Sequence, residues 1–343
     1  MNENPFVSVI IICEEYNSFL EEALKHYKKL NYTNMEVLVF TTAETEKEHL
    51  ENHPKIKFIN DPVTKNKPAE KRDLAIKYAK GEIFAFIDDD AFPSKDWLKN
   101  AVKNFSDDSI SAVGGPGETP ENAGIMEKAS GWTSASPLGG FGTTHRFTPQ
   151  NKKYIDDHPS MNLLVRAKDF KSIRGFDSLY YPGEDTKLCL DLTRKLGKKI
   201  VYDPETLVFH HKRPLFRKHL IQNGRYGLHR GHFARILPET SRRPFYFIPS
   251  LFFLGFAGGI VLTIFSLFFK NLLLSTLSRI FMTAFGIYVL LLASNAIWIF
   301  SNCKNIHISL LSFPGVFLTH LWYGLRFIQG YFSKRMNDTY GRI

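Results

Sequence analysis

Three consecutive carboxylates, Asp88-Asp89-Asp90, follow the apolar run Ile83 to Ile87 (IFAFI). Like charges this close repel, and each makes its neighbour harder to ionise. A bound divalent cation removes that cost. Carboxylate oxygens suit hard ions such as Mg2+ or Mn2+, which commonly share their coordination with substrate phosphates. An acidic triplet alone is as readily a solvated loop. Its place directly after an apolar strand is what favours a metal site. A second acidic pair, Glu184-Asp185, follows Gly183. Alone, it reads as an ordinary acidic helix start.

The elements that must position these groups alternate. Val7 to Cys13 (VSVIIIC) is a β-branched apolar run, as expected of a strand buried on both faces. Phe19 to Leu30 has helical spacing, with Leu20, Ala23, Leu24 and Tyr27 on one face. Further strands are expected at 36–40, 56–59 and 83–87, with a helix over 68–79 that has Pro68 in its first turn. This rhythm predicts an α/β fold with a mostly parallel sheet and helices on both faces. Ligands bind such sheets at the carboxyl ends of strands, where the acidic triplet lies. Beyond Gly115 the pattern loosens. Gly114 to Gly142 is rich in Gly, Pro, Ser and Thr and reads as a long, partly mobile segment near a site. Later, short strands are expected at 161–165, 200–202 and 207–209, and helices at 184–196 and 215–236. There is no internal repeat.

Three stretches carry a resemblance. The strand VSVIII, the segment GEIFAFIDDD and the later GFDSLYYPGEDTKLCLDL resemble the inverting family 2 glycosyltransferases of the GT-A fold, over roughly residues 5–235. The resemblance implies a nucleotide-sugar-binding fold in which Asp88 and Asp90 meet the metal that bridges the donor diphosphate. Asp90 is the stronger ligand candidate. Asp88 is shared with the donor ribose, and Asp89 is donor-side or sets local geometry. It also implies that Asp185, beside Glu184, is the general base for the acceptor hydroxyl. A carboxylate at a helix N-terminus stays ionised, as that role requires. Lys71 and Arg72 fall where the family has basic residues near donor phosphates. His210-His211 lies where related enzymes have a histidine at the metal, and His211 is taken as that ligand. Gln222-Asn223-Gly224-Arg225-Tyr226 resembles the Gln-x-x-Arg-Trp motif of processive members, so Gln222 and Arg225 are donor-side candidates. The Tyr in place of Trp argues against polymer synthesis. The second strand usually ends in acids that grip the nucleoside, whereas here Thr41-Thr42 stands, leaving Thr41 as the donor-side residue.

The rest of the chain points to a membrane. Phe245 to Phe269 and Ile280 to Phe300 are uncharged runs of bilayer length, and 308–328 is a weaker third candidate. No acidic residue lies between Glu239 and Asp338. From Arg194 to Arg243 there are thirteen Lys and Arg against Asp203, Glu205 and Glu239. Such a block beside apolar spans favours anionic lipid and a cytoplasmic flank, and no nucleic-acid motif accompanies it. The charge rule conflicts with three crossings, which would put the tail cations opposite Arg242 and Arg243. Cys13, Cys189 and Cys303 are far apart, which fits a cytosolic catalytic part without disulfides or cysteine metal sites. The apolar run near the N-terminus is too short and lacks basic residues for a signal peptide.

The expected organisation is a catalytic domain over 1–243, whose residues 215–243 form a basic amphipathic linker helix, a membrane region over 244–332 and a basic tail over 333–343. The expected activity is metal-dependent inverting transfer from a nucleotide sugar to a lipid-linked or glycolipid acceptor, with Mn2+ or Mg2+. Two other classes fit less well. A nucleotidyltransferase would carry a Gly-rich basic loop after the first strand, which IICEEYN lacks. A non-catalytic lipid-binding protein would not need both acidic motifs. Sugar, nucleotide and oligomeric state are not legible.

Overall fold

The structure is a computed structural model that describes residues 4–46, 48–49, 56–269, 271–334 and 336. In chain order the elements begin β1 (Val7–Cys13), α1 (Ser18–Tyr27), β2 (Met35–Thr41), β3 (Ile56–Asn60), α2 (Pro68–Asp73), β4 (Ile83–Asp88), β5 (Ala91–Pro93) and α3 (Trp97–Lys103). They continue with β6 (Ile110–Gly114), β7 (Gly117–Glu118), α4 (Ile125–Ala135), β8 (Lys153–Ile155), β9 (Asn162–Arg166), α5 (Ala167–Ser172) and α6 (Glu184–Leu190). The last are β10 (Lys199–Tyr202), β11 (Val208–His210), α7 (Arg217–Ile236), α8 (Pro244–Phe268), α9 (Leu272–Cys303) and α10 (Ile306–Phe332).

The chain forms two compact units, one of Met1–Pro120 with His145–His211, the other of Glu121–Thr144 with Lys212–Met336. The break in composition at Arg243 is therefore not the boundary between compact units.

The first unit is built on an eight-stranded sheet in the order β3-β2-β1-β4-β9-β6-β10-β8. Strands β3, β2, β1 and β4 are parallel, as their continuous apolar runs predict. Strand β9 runs antiparallel to both neighbours, β4 and β6, and β8 runs antiparallel to β10, so the sheet is more mixed than the sequence suggests. Alternate side chains of β1 feed opposite layers. Val7, Val9 and Ile11 pack with Leu20, Ala23 and Leu24 of α1. Ile10 joins Leu38, Phe40, Phe84 and Phe86 on the other face. A second sheet, β5-β11-β7, carries the segment that leaves β4. The expected helix over 68–79 is interrupted at Leu74, and that over 184–196 narrows to α6 with a wider turn over Asp191–Lys195.

The second unit is helical. The Gly/Ser/Thr-rich stretch expected to be loose contains α4, whose small residues permit close contact with α10. A Cβ on Gly315 would lie 3.0 Å from Thr133 Oγ1, and Ser312 Oγ donates to Ala129 O at 3.3 Å. Helix α7 is not amphipathic in the expected sense. Its buried face is His219, Gly224, Gly227, His229 and Gly231, and it packs against α10 through those glycines. Helices α8, α9 and α10 are each long and apolar enough to cross a membrane.

Candidate active site

Strand β4 delivers Asp88 at its carboxyl end, and the chain turns through Asp89 and Asp90 into β5. Strand β11 pairs antiparallel with β5, with His210 opposite Ala91. That register brings His210 Nε2 to 3.1 Å from Asp90 Oδ1. Ligand atoms of Asp88, Asp90 and His210 lie within 4.8 Å of one another, the one such cluster among the described residues. Two carboxylate oxygens and an imidazole nitrogen at converging strand ends suit Mn2+ or Mg2+, with Mn2+ the more tolerant of nitrogen.

His211, expected at the metal, points elsewhere. Strand β11 ends at His210, and the next residue turns its side chain away from the cluster. His211 Nε2 meets Glu22 Oε2 at 3.0 Å, its ring packs against Phe19, and its amide donates to Asp90 O at 2.9 Å. Asp89 is tied to Asn17, whose Nδ2 donates to Asp89 Oδ2 at 2.8 Å. The same Asn17 caps α1 by accepting from Phe19 N and Leu20 N.

Arg72 joins the two acidic motifs. Its Nη2 donates to Asp88 Oδ1 at 2.8 Å and its Nη1 to Glu184 Oε1 at 3.0 Å. The guanidinium is buried and lies 5.6 Å from the Phe176 ring centroid. Glu184 is also buried. Desolvation pushes its carboxyl upward and the neighbouring Asp185 adds to this, while Arg72 opposes both. Asp185 is half-buried in the first turn of α6, where its Oδ1 accepts from Thr186 N at 2.8 Å. Arg72 feels Asp88, Glu184 and Asp185 together. The sequence offered both acidic motifs but not this bridge, because nothing in spacing ties residue 72 to residue 184.

Lys71, expected near donor phosphates, is committed to protein acceptors instead. It is 1% exposed, and its ammonium donates to Cys13 O, Glu14 Oε1 and Thr42 Oγ1 at 2.9, 2.8 and 2.7 Å. Those three bonds use its three hydrogens. Burial alone would raise the Glu14 carboxyl, yet the hydrogen bonds from Lys71 and Thr42 hold it below the ordinary range. Lys71 thus ties the ends of β1 and β2, where the family pattern departs. Thr41 is buried at the end of β2, so its side chain is not offered to a ligand. Gln222 and Arg225 lie on α7, in the second unit, both partly exposed.

Residues 8–170, just under half of the chain, match the family described as Glycosyl transferase family 2. The pre-mycofactocin glycosyltransferases of two Mycobacterium tuberculosis strains are 25% identical over 183 residues, covering 51% of this chain and 36% of theirs. The chain thus spans about a third of the length of these curated relatives. A solved mannosyltransferase, PcManGT from Pyrobaculum calidifontis in complex with GDP-Man and Mn2+, shares the fold, with a TM-score of 0.56 and 18% identity over 91% of this chain and 86% of that one. The architecture is the GT-A-like mixed α/β sheet followed by apolar helices.

Proposed function

We propose that the protein is an inverting glycosyltransferase that moves a glycosyl group from a nucleotide sugar to a membrane-associated, lipid-linked acceptor. The observation that carries this is the convergence of Asp88, Asp90 and His210 beside the Arg72 bridge to Glu184-Asp185. It is supported by the family 2 domain and by the likeness to an enzyme solved with GDP-Man and Mn2+. Asp88, Asp90 and His210 would hold Mn2+ or Mg2+, which supplies positive charge to the departing nucleoside diphosphate. Asp185 takes the proton of the acceptor hydroxyl. The oxygen attacks the anomeric carbon as the bond to the diphosphate breaks, inverting the configuration. Arg72 keeps Asp88 and the Glu184-Asp185 turn in fixed register and balances their charge. The apolar helices α8 and α9 bring the acceptor's lipid within reach of the chain, and the basic helix α7 supplies cations for a lipid phosphate. The cation-rich flanks of these helices favour a cytoplasmic catalytic part.

The test is transfer from a panel of nucleotide sugars with Mn2+ or Mg2+. Asp90→Ala should abolish metal-dependent transfer. Asp185→Asn should lower kcat by about 10²- to 10⁴-fold, the usual worth of a general base. Full activity in both variants sinks the site assignment. A wild type that uses no nucleotide sugar sinks the reaction.

A further inference from the structure

Three helices qualify by length and composition to cross a bilayer, yet their surroundings differ. None of the most apolar window of α8 is buried within the protein, against 17% for α9 and 44% for α10. Nearly half of that stretch of α10 is covered by the protein itself.

Its main cover is α7. The two helices run parallel along their shared length. Leu215 lies against Gly315, and His219 Nε2 is 2.9 Å from Thr319 Oγ1. Gly227 meets the Tyr323 backbone, Gly231 meets Phe327 O, and Arg235 donates to Ser333 O. Whatever depth α10 has in a bilayer, α7 shares. Helix α7 carries Arg217, Lys218, Arg225, Arg230 and Arg235, all exposed or half-exposed. Ionised side chains at the centre of the hydrocarbon layer are costly, and five on one helix exclude it from a spanning position.

Helices α8 and α9 behave otherwise. They form an antiparallel hairpin, with Phe252 beside Tyr288, Phe256 beside Phe285, and Thr263 Oγ1 3.1 Å from Ser278 Oγ. Residues 249–269 measure about 30 Å along a helix axis, the thickness of a bilayer core. Helix α10 meets this hairpin crosswise. Ser309 Oγ donates to Ala296 O, Phe317 reaches Phe256 and Phe285, and then Gly324 lies against Pro249 and Phe327 against Phe247. It dips toward the hairpin and returns to the level where α8 starts. Its exposed Trp322, with Arg326 5.9 Å from the ring, is the side-chain pairing of a headgroup boundary.

We propose that the chain crosses the membrane twice, through α8 and α9. Helix α10 lies in the headgroup–acyl boundary on the side where the hairpin begins and ends, with the cations of α7 among the headgroups. Two crossings return the chain to its starting side. They put Arg242, Arg243 and Lys334 on one side, where three crossings would divide them. The inference concerns the second unit alone and holds whatever group is transferred.

The test uses the full chain with Cys13, Cys189 and Cys303 replaced by Ala, and single cysteines R242C, N271C or K334C. Sealed membrane vesicles of one orientation are treated with an impermeant maleimide before and after permeabilisation. The expected result is that R242C and K334C label alike and N271C oppositely. Labelling of K334C together with N271C means three crossings and overturns the proposal, as does labelling of all three from one side. Epitope tags placed after Asn271 and after Lys334 in the native-cysteine chain, read by antibody access, give the same decision if the cysteine-free form does not accumulate. Depth is read with nitroxides at L310C and M282C, both exposed positions. The label on α10 should be several-fold more accessible to a polar relaxing agent than the label on α9. Equal accessibility overturns the boundary placement.

Discussion

The two units bury polar groups in opposite ways. In the first, buried cations are matched to carboxylates: Arg72 with Asp88 and Glu184, Lys71 with Glu14, and Arg166 near Asp169. In the second, acidic residues number only Glu121, Glu127 and Glu239. There buried polarity is neutral, as in His219 between the hydroxyls of Ser130 and Thr319, and shape comes from backbone approach at glycines. The difference follows from what each must hold. On the proposed function, a site that gathers a metal and a diphosphate needs excess negative charge held in fixed geometry. A unit with three helices apolar enough for lipid would gain, if embedded, from close packing and neutral hydrogen bonds, since unpaired charge there has no water to meet.

Three probes test the comparison, beginning with the largest effect on stability. Arg72→Met leaves Glu184 buried without its cation, and breaking such a pair costs about 3–5 kcal/mol. The expected outcome is a marked fall in melting temperature. Arg72→Met/Glu184→Leu should recover most of the stability but not the activity. If the single variant melts like wild type, the bridge does not hold the first unit together.

The second probe is acid. Burial lowers the His219 pKa to about 4, below the 6.5 of an exposed imidazole. The folded state therefore binds this proton less well than the unfolded state. Its contribution is intact above pH 6.5 and declines as pH falls toward 4, by about 1.4 kcal/mol per pH unit at most. His219→Asn should flatten the decline of melting temperature over that window. An unchanged slope would remove His219 from the account.

The third compares two glycines. A Cβ on Gly231 would sit 2.0 Å from Phe327 O, whereas one on Gly258 meets nothing within 4 Å. Gly231→Ala should cost about 1–3 kcal/mol by forcing α7 from α10. Gly258→Ala should be neutral or stabilise by up to about 1 kcal/mol through helix propensity. Equal melting temperatures in detergent would break the claim that backbone approach shapes the second unit.

Strands β1 to β4 were legible because runs such as VSVIIIC and IFAFI are buried on both faces and leave no choice of register. Strands β5, β7 and β11 were harder, since segments of two or three residues carry little periodicity and exist through pairing with one another. That pairing decides which of His210 and His211 joins the acidic cluster, so the choice could not be read from a His-His pair. Helix α4 was missed because Gly, Ser and Thr signal loops, yet small side chains are also what a tightly packed helix requires. The basic character of α7 was plain, but its glycine face was hidden among the charges. The acidic motifs were found from the sequence. Lys71 was expected at the donor phosphates, whereas its partners lie at strand ends that only the sheet brings together.

One feature of the site bears on the order in which it is made. Asp88 and Asp90 emerge early in synthesis, whereas His210 comes about 120 residues later on β11, the middle strand of the small sheet. A nascent chain that stops short of Val208 has β5 without its partner and Asp90 without its imidazole neighbour. Domains generally fold from the N-terminal side as the ribosome proceeds. The large sheet can therefore be nearly complete while the cation cluster is still open. The Asp88-Asp90-His210 cluster closes only as the ribosome reaches α7 and the apolar hairpin, so the finished cluster and the apolar helices arrive at nearly the same moment of translation.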